Sequence, residues 1–173
     1  TVAVGTSSNG FVGKTIQYVG RSAHAADAPD QGINALNAAM LGIMGINSLR
    51  ETFRDEDAIR VHPIITKGGD LVNNVPDDVR IETYVRAKTM EAIEKTHKKV
   101  DAALRAGGMA IGAEVHIDTM PGHLPLVCNA TLNELLVENA KEAFPSVKII
   151  NAGHFSASTD MGDVSHLMPA IHP

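Results

Sequence analysis

Aromatic residues are scarce in this chain of 173 residues: they account for 3% of the sequence, and tryptophan is absent. Aliphatic side chains therefore have to fill the core, and an apolar content of 44% is ordinary for a globular protein. The single cysteine, Cys128, cannot form an internal disulfide. Basic runs are also missing, and the net charge is −5, so we expect no nucleic acid as partner.

Apolar runs of membrane-spanning length are missing as well. The longest apolar stretches are broken by glycine, asparagine and arginine, so no membrane partner is expected. Residues 1–10 lack the basic and apolar regions of a signal peptide, and residues 1–9, which are small and polar, predict a loose lead-in. A cytoplasmic location is therefore the default expectation. The length fits one domain, or one small domain with an appendage.

Hydrophobic periodicity predicts the order strand, helix, strand, strand, helix, strand over residues 10–120. This is the βαββαβ, or ferredoxin-like, arrangement: an α+β fold whose four-stranded antiparallel sheet carries two helices on one face. Asp30 is expected to cap the first helix and Thr89 the second, which Gly107-Gly108 would end. The predicted strands are 11–19, 59–66, 79–87 and 113–119, and the first helix is 33–53.

Residues 121–173 predict a second, incomplete unit. Pro121 to Pro125 marks a boundary, and Thr131 is expected to begin a helix with a capping box. A short strand at 147–150 follows, and then a loop at 151–165 that is rich in Gly, Ser, Thr and Asp. One helix and one short strand cannot enclose a hydrophobic core of their own, so this unit has to pack against another part of the protein.

The stretch Gly20-Arg21-Ser22-Ala23-His24-Ala25-Ala26 lies where the first predicted strand ends. Small neighbours leave room for a ligand to approach the His24 ring, and loops at strand ends commonly carry functional groups. The alternative is a histidine that fills a turn and bonds to backbone. The heptad alone leaves both interpretations open.

Several motifs, taken together and in order, resemble the dinuclear-zinc aminoacylase and carboxypeptidase family. The closest likeness is to its amidohydrolase branch, which includes aminobenzoyl-glutamate hydrolases. The motifs are the His24 heptad, Pro29 with Gly32-Ile33-Asn34-Ala35, Lys67-Gly68-Gly69, Asn73 with Pro76-Asp77, Tyr84-Val85-Arg86-Ala87, and Ser158-Thr159-Asp160-Met161-Gly162-Asp163-Val164-Ser165.

The resemblance implies a lid, or dimerisation, domain at 10–120 and an incomplete C-terminal part of a catalytic domain at 121–173. Intact members are homodimers that hydrolyse N-acyl or aminoacyl amide bonds and bind two zinc ions. Their His-x-Asp motif and Glu-Glu pair precede the lid, so we expect no metal site within this chain and no activity from it alone. Two alternatives remain: a non-catalytic dimerisation module, and a regulatory domain for a small ligand.

The resemblance also assigns roles to six residues. His24 would reach into the partner subunit's site and donate a hydrogen bond to the oxyanion, and Asn73 would contact the substrate. Arg86 would bind a substrate carboxylate. Ser158, Thr159 and Asp160 would shape the substrate pocket. The alternatives are turn chemistry for Asn73, a solvated charge paired with Glu82 for Arg86, and a distorted loop for residues 158–160.

One further motif, His116-Ile117-Asp118, has the form of a metal-binding His-x-Asp. It lies in the fourth predicted strand and has no acidic pair nearby, so we assign no metal to it. The remaining histidines share no spacing typical of a ligand set; they are His62, His97, His123, His154 and His166.

Overall fold

The computed structural model describes residues 1–173. Its strands are β1 Val2–Val4, β2 Ser7–Ser8, β3 Gly10–Val19, β4 Arg60–Val61, β5 Ile64–Lys67, β6 Asp78–Ala87, β7 Glu114–Pro121, β8 Ile149–Asn151 and β9 His154–Phe155. Its helices are α1 Ala35–Leu49, α2 Met90–Ile111, α3 Ala130–Ala143 and α4 Met161–Ser165. None of these helices is long and apolar enough to cross a membrane.

The central sheet confirms the predicted ferredoxin-like arrangement. Its order is β4/β5, β6, β3, β7, and every pairing is antiparallel. The predicted second strand is divided into β4 and β5 at His62-Pro63. Proline has no N–H to donate to a ladder and is tolerated only at such an edge. This edge is therefore the irregular side of an otherwise continuous sheet.

One face of the sheet and the two long helices enclose the core. Alternate residues of β3 and β6 are buried under α1 and α2, as the period-two pattern predicted. Tyr18 is fully buried, and its hydroxyl donates to the Leu104 carbonyl oxygen at 2.8 Å. The buried residue types confirm a core built almost without aromatic rings.

Glycines set the distance between α1 and α2. A Cβ at Gly107 would lie 2.4 Å from the Ala38 carbonyl oxygen and 2.5 Å from the Gly42 nitrogen. The prediction that Gly107-Gly108 ends the second helix is therefore wrong: both glycines lie inside the helix, and Gly107 allows close packing on α1. The helix ends at Gly112, whose φ of 81° is a left-handed conformation that favours glycine.

The helix starts follow side-chain capping, with two corrections. Thr89 caps α2 as predicted, accepting from the Ala92 N–H. Asn34, and not Asp30, caps α1, so this helix is shorter than 33–53. Asn129, and not Thr131, caps α3. Each correction moves the cap to an asparagine that stands directly before the first helical residue.

The prediction of a loose lead-in over residues 1–9 is wrong. β1 pairs in parallel with β8, and β2 pairs in parallel with β9. Fully buried Asn9 follows these strands: its Nδ2 donates to the Ala58 carbonyl oxygen, and its Oδ1 accepts from His154 Nε2, both at 2.9 Å. The first residues and the C-terminal unit thus pack as one layer that is bonded to the sheet domain.

A buried charge lies beneath α2. Lys14 is fully buried and bonds to Asp101 at 2.7 Å and to Thr119 Oγ1 at 2.8 Å. His97, which the sequence pattern placed on an apolar stripe, is 3.4 Å from Lys14 Nζ. Because an unpaired buried charge is costly, these partners stabilise the position of α2 on the sheet.

Candidate functional site

The His24 loop is held against the loop that contains Asn73. The Val75 N–H donates to the Ala23 carbonyl oxygen, and the Ala25 N–H donates to the Asn73 carbonyl oxygen, both at 2.8 Å. Gly20 starts the His24 loop where a Cβ would lie 2.1 Å from the Ile33 carbonyl oxygen. His24 pairs with Asn74, so Asn73 lies one residue away on the backbone segment that is bonded to the His24 loop.

The turn that follows His24 determines which ring nitrogen can donate. His24 Nδ1 accepts from the backbone N–H of Asp27 at 3.1 Å and of Ala26 at 3.3 Å. In a neutral imidazole the accepting nitrogen carries no proton, so Nε2 carries it. The exposed ring therefore presents an Nε2–H donor that has no partner within residues 1–173.

Asp78 anchors the base of this pair of loops. Its carboxylate accepts from Gln17 Nε2 at 2.9 Å, from Lys67 Nζ at 3.0 Å and from Arg80 Nη2 at 3.2 Å. These donors, Gln17 first, lower the pKa of Asp78 to about 2. Asp78 is the first residue of β6 and follows the Asn73 loop. The network therefore also holds the end of the strand to which this loop is attached.

We expect Asp78→Asn to lower the thermal unfolding temperature at neutral pH. The pKa of Asp78 is about 2 in the folded protein, below its unfolded value of about 3.9. The carboxylate therefore stabilises the fold above about pH 4 and loses this effect as the pH falls towards 2. Thermal unfolding of both proteins between pH 7 and pH 2 measures the difference. A difference that stays constant with pH would contradict this role.

Arg86 lies in a second cluster. Its Nη1 donates to Ser158 Oγ at 3.1 Å, and its guanidinium carbon is 5.2 Å from the ring centroids of both Phe11 and Tyr84. The alternative pairing with Glu82 does not form, because Arg86 makes no ion pair within residues 1–173. A guanidinium has five N–H donors, so most of those on Arg86 are free for an anion.

The loop after β9 brings the residues at 158–160 to Arg86. Thr159 Oγ1 accepts from the Met161 N–H at 3.3 Å, and Asp160 precedes α4 without a capping bond. Asp163 ties this loop to the end of the sheet: it accepts from the Leu124 N–H and contacts His123 Nδ1, both at 2.8 Å. These bonds, the Leu124 N–H first, lower the pKa of Asp163.

The two clusters lie at opposite ends of the same strands. Arg86 pairs with Phe11 at the start of β3, whereas the His24 loop leaves β3 after Val19. At about 3.3 Å per residue, the strand separates these ends by about 26 Å. A single small substrate therefore cannot touch both clusters of one chain.

Metal ligands do not converge within residues 1–173. No group of three or more His, Cys, Asp or Glu side chains is placed to hold an ion. His116, in the His-x-Asp motif, lies on the outer face of β7 and contacts Glu114 at 3.3 Å. The zinc ions that the resemblance implies thus do not fit the residues of this chain.

The rings around Arg86 were not predicted from the sequence. Phe11 and Tyr84 lie with ring centroids 4.7 Å apart, and His123 approaches Phe11 at 5.5 Å. Strand alternation places Tyr84 and Arg86 on one face, so the sequence could have predicted that these two side chains lie together. The place of Phe11 depends on the β3–β6 register, which no local pattern reveals.

Comparisons of sequence reveal related proteins. The model of the peptidase dimerisation domain family matches residues 6–110. The chain is 35% identical over 163 residues to the Xaa-Arg dipeptidase of Mus musculus, and the match covers 92% of this chain and 37% of that protein. It is 30% identical over 125 residues to one of the subunits of the p-aminobenzoyl-glutamate hydrolase of Escherichia coli, covering 72% of this chain and 24% of that protein.

Solved structures share the fold at lower sequence identity. A tripeptidase from Staphylococcus aureus superposes with a TM-score of 0.73 at 21% identity, covering 99% of this chain and 45% of that one. An aminobenzoyl-glutamate utilization protein from Klebsiella pneumoniae gives a TM-score of 0.68 at 19% identity, covering 96% and 43%. The chain therefore spans less than half the length of these relatives.

Proposed function

The chain belongs to the peptidase dimerisation domain family, and from this premise we propose that it forms part of a metal-dependent amidohydrolase. Residues 10–120 would be the lid of this enzyme, and residues 121–173 an incomplete part of its catalytic domain. The reaction would be hydrolysis of an N-acyl or aminoacyl amide bond. The peptidase and hydrolase names of the sequence relatives support this reaction class.

The observation that carries the proposal is the separation of the two clusters. The end of β3 beside Arg86 and the end from which the His24 loop leaves are about 26 Å apart, at about 3.3 Å per strand residue. A substrate could meet both kinds of group only where two chains come together. The proposed active site therefore combines Arg86 of one subunit with His24 of the other.

Each cluster would have a distinct task in this reaction. Arg86 would hold the substrate carboxylate by two parallel N–H donors, with Ser158, Thr159 and Asp160 around it. The Nε2–H of His24 would donate to the oxyanion as the carbonyl becomes tetrahedral, and Asn73 would help to orient the substrate. The zinc ions of the family would be held by residues outside 1–173, and they would polarise the carbonyl.

The side of the sheet at β5 is the proposed contact between subunits. Ile64 and Ile65 of this edge strand are 60% and 41% exposed, and Met40 and Met44 of α1 are 53% and 61% exposed. An unpaired strand edge beside exposed apolar groups is a surface that invites a partner. Pairing of two such edges would continue the sheet from one subunit into the next.

We expect the chain to be a homodimer at tens of micromolar by light scattering. A Met44→Glu and Ile65→Lys double variant should be monomeric, because it places charges into the proposed interface. Met109→Glu is the matched control, since Met109 is 81% exposed on α2. A monomeric parent chain, or a dimer that survives the double variant, would show that the subunits do not meet at this edge.

The activity itself is tested with the full-length protein that carries this segment. We expect the release of free amine from N-acyl amino acids and dipeptides, measured with purified protein. If a dimer forms but none of these amides is cleaved, the non-catalytic dimerisation module becomes the better account.

A further inference from the structure

We propose that Tyr84 and Met120, with Phe11 behind them, form a shelf that binds an aromatic or long apolar side chain of the substrate. This inference rests on the proposed function, because it places that side chain beside the carboxylate held by Arg86. The shelf lies on the outer face of the sheet, on the side away from α1 and α2. It would make the enzyme selective for one class of amino acid on the amine side of the scissile bond.

The shelf is an exposed apolar surface on the sheet. Tyr84 is 50% exposed and Met120 is 51% exposed. Between them lies Gly13, where a Cβ would be 3.6 Å from both the Tyr84 ring and the Met120 methyl group. Gly13 is itself buried, so the Tyr84 and Met120 side chains close over it and present one continuous apolar surface to a ligand.

Phe11 gives the shelf its rigidity. The His123 ring meets the Phe11 ring nearly at right angles, at 80°, and His123 is itself bonded to Asp163 at 2.8 Å. The Phe11 and Tyr84 rings are tilted by 50° with their centroids 4.7 Å apart, a common stable geometry for aromatic pairs. Tyr84 therefore packs against Phe11 and keeps half of its surface exposed.

Arg86 fixes which ligand suits the shelf. Its guanidinium lies 5.2 Å from both ring centroids, so an anion bound to it would stand next to the Tyr84 ring. Attraction to the two ring faces holds the cation in place without a carboxylate partner. An apolar side chain attached to the carbon that bears the carboxylate would extend over Tyr84 and Met120. An alanine side chain is too short to reach them.

The test compares two substrates of the full-length enzyme, N-acetylphenylalanine and N-acetylalanine. We expect Tyr84→Ala to lower kcat/KM for the phenylalanine substrate about 10- to 30-fold, mainly through KM, and for the alanine substrate less than about 2-fold. Tyr84→Phe should keep the selectivity, because the ring remains. Glu82→Ala, on the same face of the same strand, is the matched control and should change neither value.

Equal losses on both substrates would overturn the shelf, since Tyr84 would then only position Arg86. No loss on either would overturn it as well. If the parent enzyme cleaves neither substrate, calorimetric titration with N-acetylphenylalanine decides between the two proposals. Binding that weakens at least about 10-fold in Tyr84→Ala would retain the shelf and reject hydrolysis of N-acetyl amino acids, whereas absent binding, or binding independent of Tyr84, would overturn the shelf.

Discussion

Replacement of His24 by alanine in the full-length enzyme should lower kcat about 100- to 1000-fold and leave KM nearly unchanged. The turn at Ala26 and Asp27 uses Nδ1 as acceptor, so Nε2–H is the donor available to a substrate. A donor aimed at the developing oxyanion acts on the transition state more than on the bound substrate. Loss of such a donor therefore appears in kcat and not in KM.

Steady-state kinetics with purified protein measures this effect. Ser22→Ala is the matched control, because Ser22 is an exposed residue of the same loop and has no assigned role. Thermal unfolding of His24→Ala should match the parent protein, since an exposed side chain leaves no cavity. A rise in KM with an unchanged kcat would instead make His24 a ground-state substrate contact.

Replacement of Arg86 by lysine should raise KM and lower kcat/KM about 10- to 100-fold. Lysine keeps the charge but loses the planar pair of donors that matches a carboxylate, and such charged hydrogen bonds contribute about 1.5–3 kcal/mol. The contact with Ser158 Oγ and the placement over Phe11 would be lost at the same time.

A substrate without the carboxylate separates this role from a structural one. An amide analogue in which the carboxylate is replaced by a neutral carboxamide should respond less than about 3-fold to Arg86→Lys. Arg54→Lys is the control, because Arg54 is exposed and pairs with the equally exposed Glu56. A similar loss on the neutral analogue would mean that Arg86 supports the sheet and does not bind the carboxylate.

Much of the sheet domain could be predicted because its signals are local. Alternation in β3 and β6 follows from one buried face, and Thr89 caps α2 through a bond to a residue three positions away. The errors arose where distant partners decide the structure. β1 and β2 are strands only because β8 and β9 lie beside them, and Gly107 lies inside α2 because Ala38 and Gly42 pack against it.

The sequence could name candidate residues for the site, but it could not predict how they are arranged. The His24 heptad and the Asn73 turn are adjacent through backbone bonds that no spacing rule describes. Arg86 and Ser158 are distant in sequence, and they meet because the loop after β9 is bonded to the end of the sheet. The two clusters lie at opposite ends of the sheet because of the β3–β6 register.

The central claim is that each active site takes Arg86 from one subunit and His24 from its partner. The direct measurement mixes full-length His24→Ala and Arg86→Ala proteins in equal amounts, with subunit exchange confirmed by mass spectrometry. A hybrid dimer then contains one site with both groups intact, so activity should return to about one quarter of the parent value in a random mixture of twofold dimers. Exchange without any recovery of activity would contradict the claim and place both groups in the site of a single subunit.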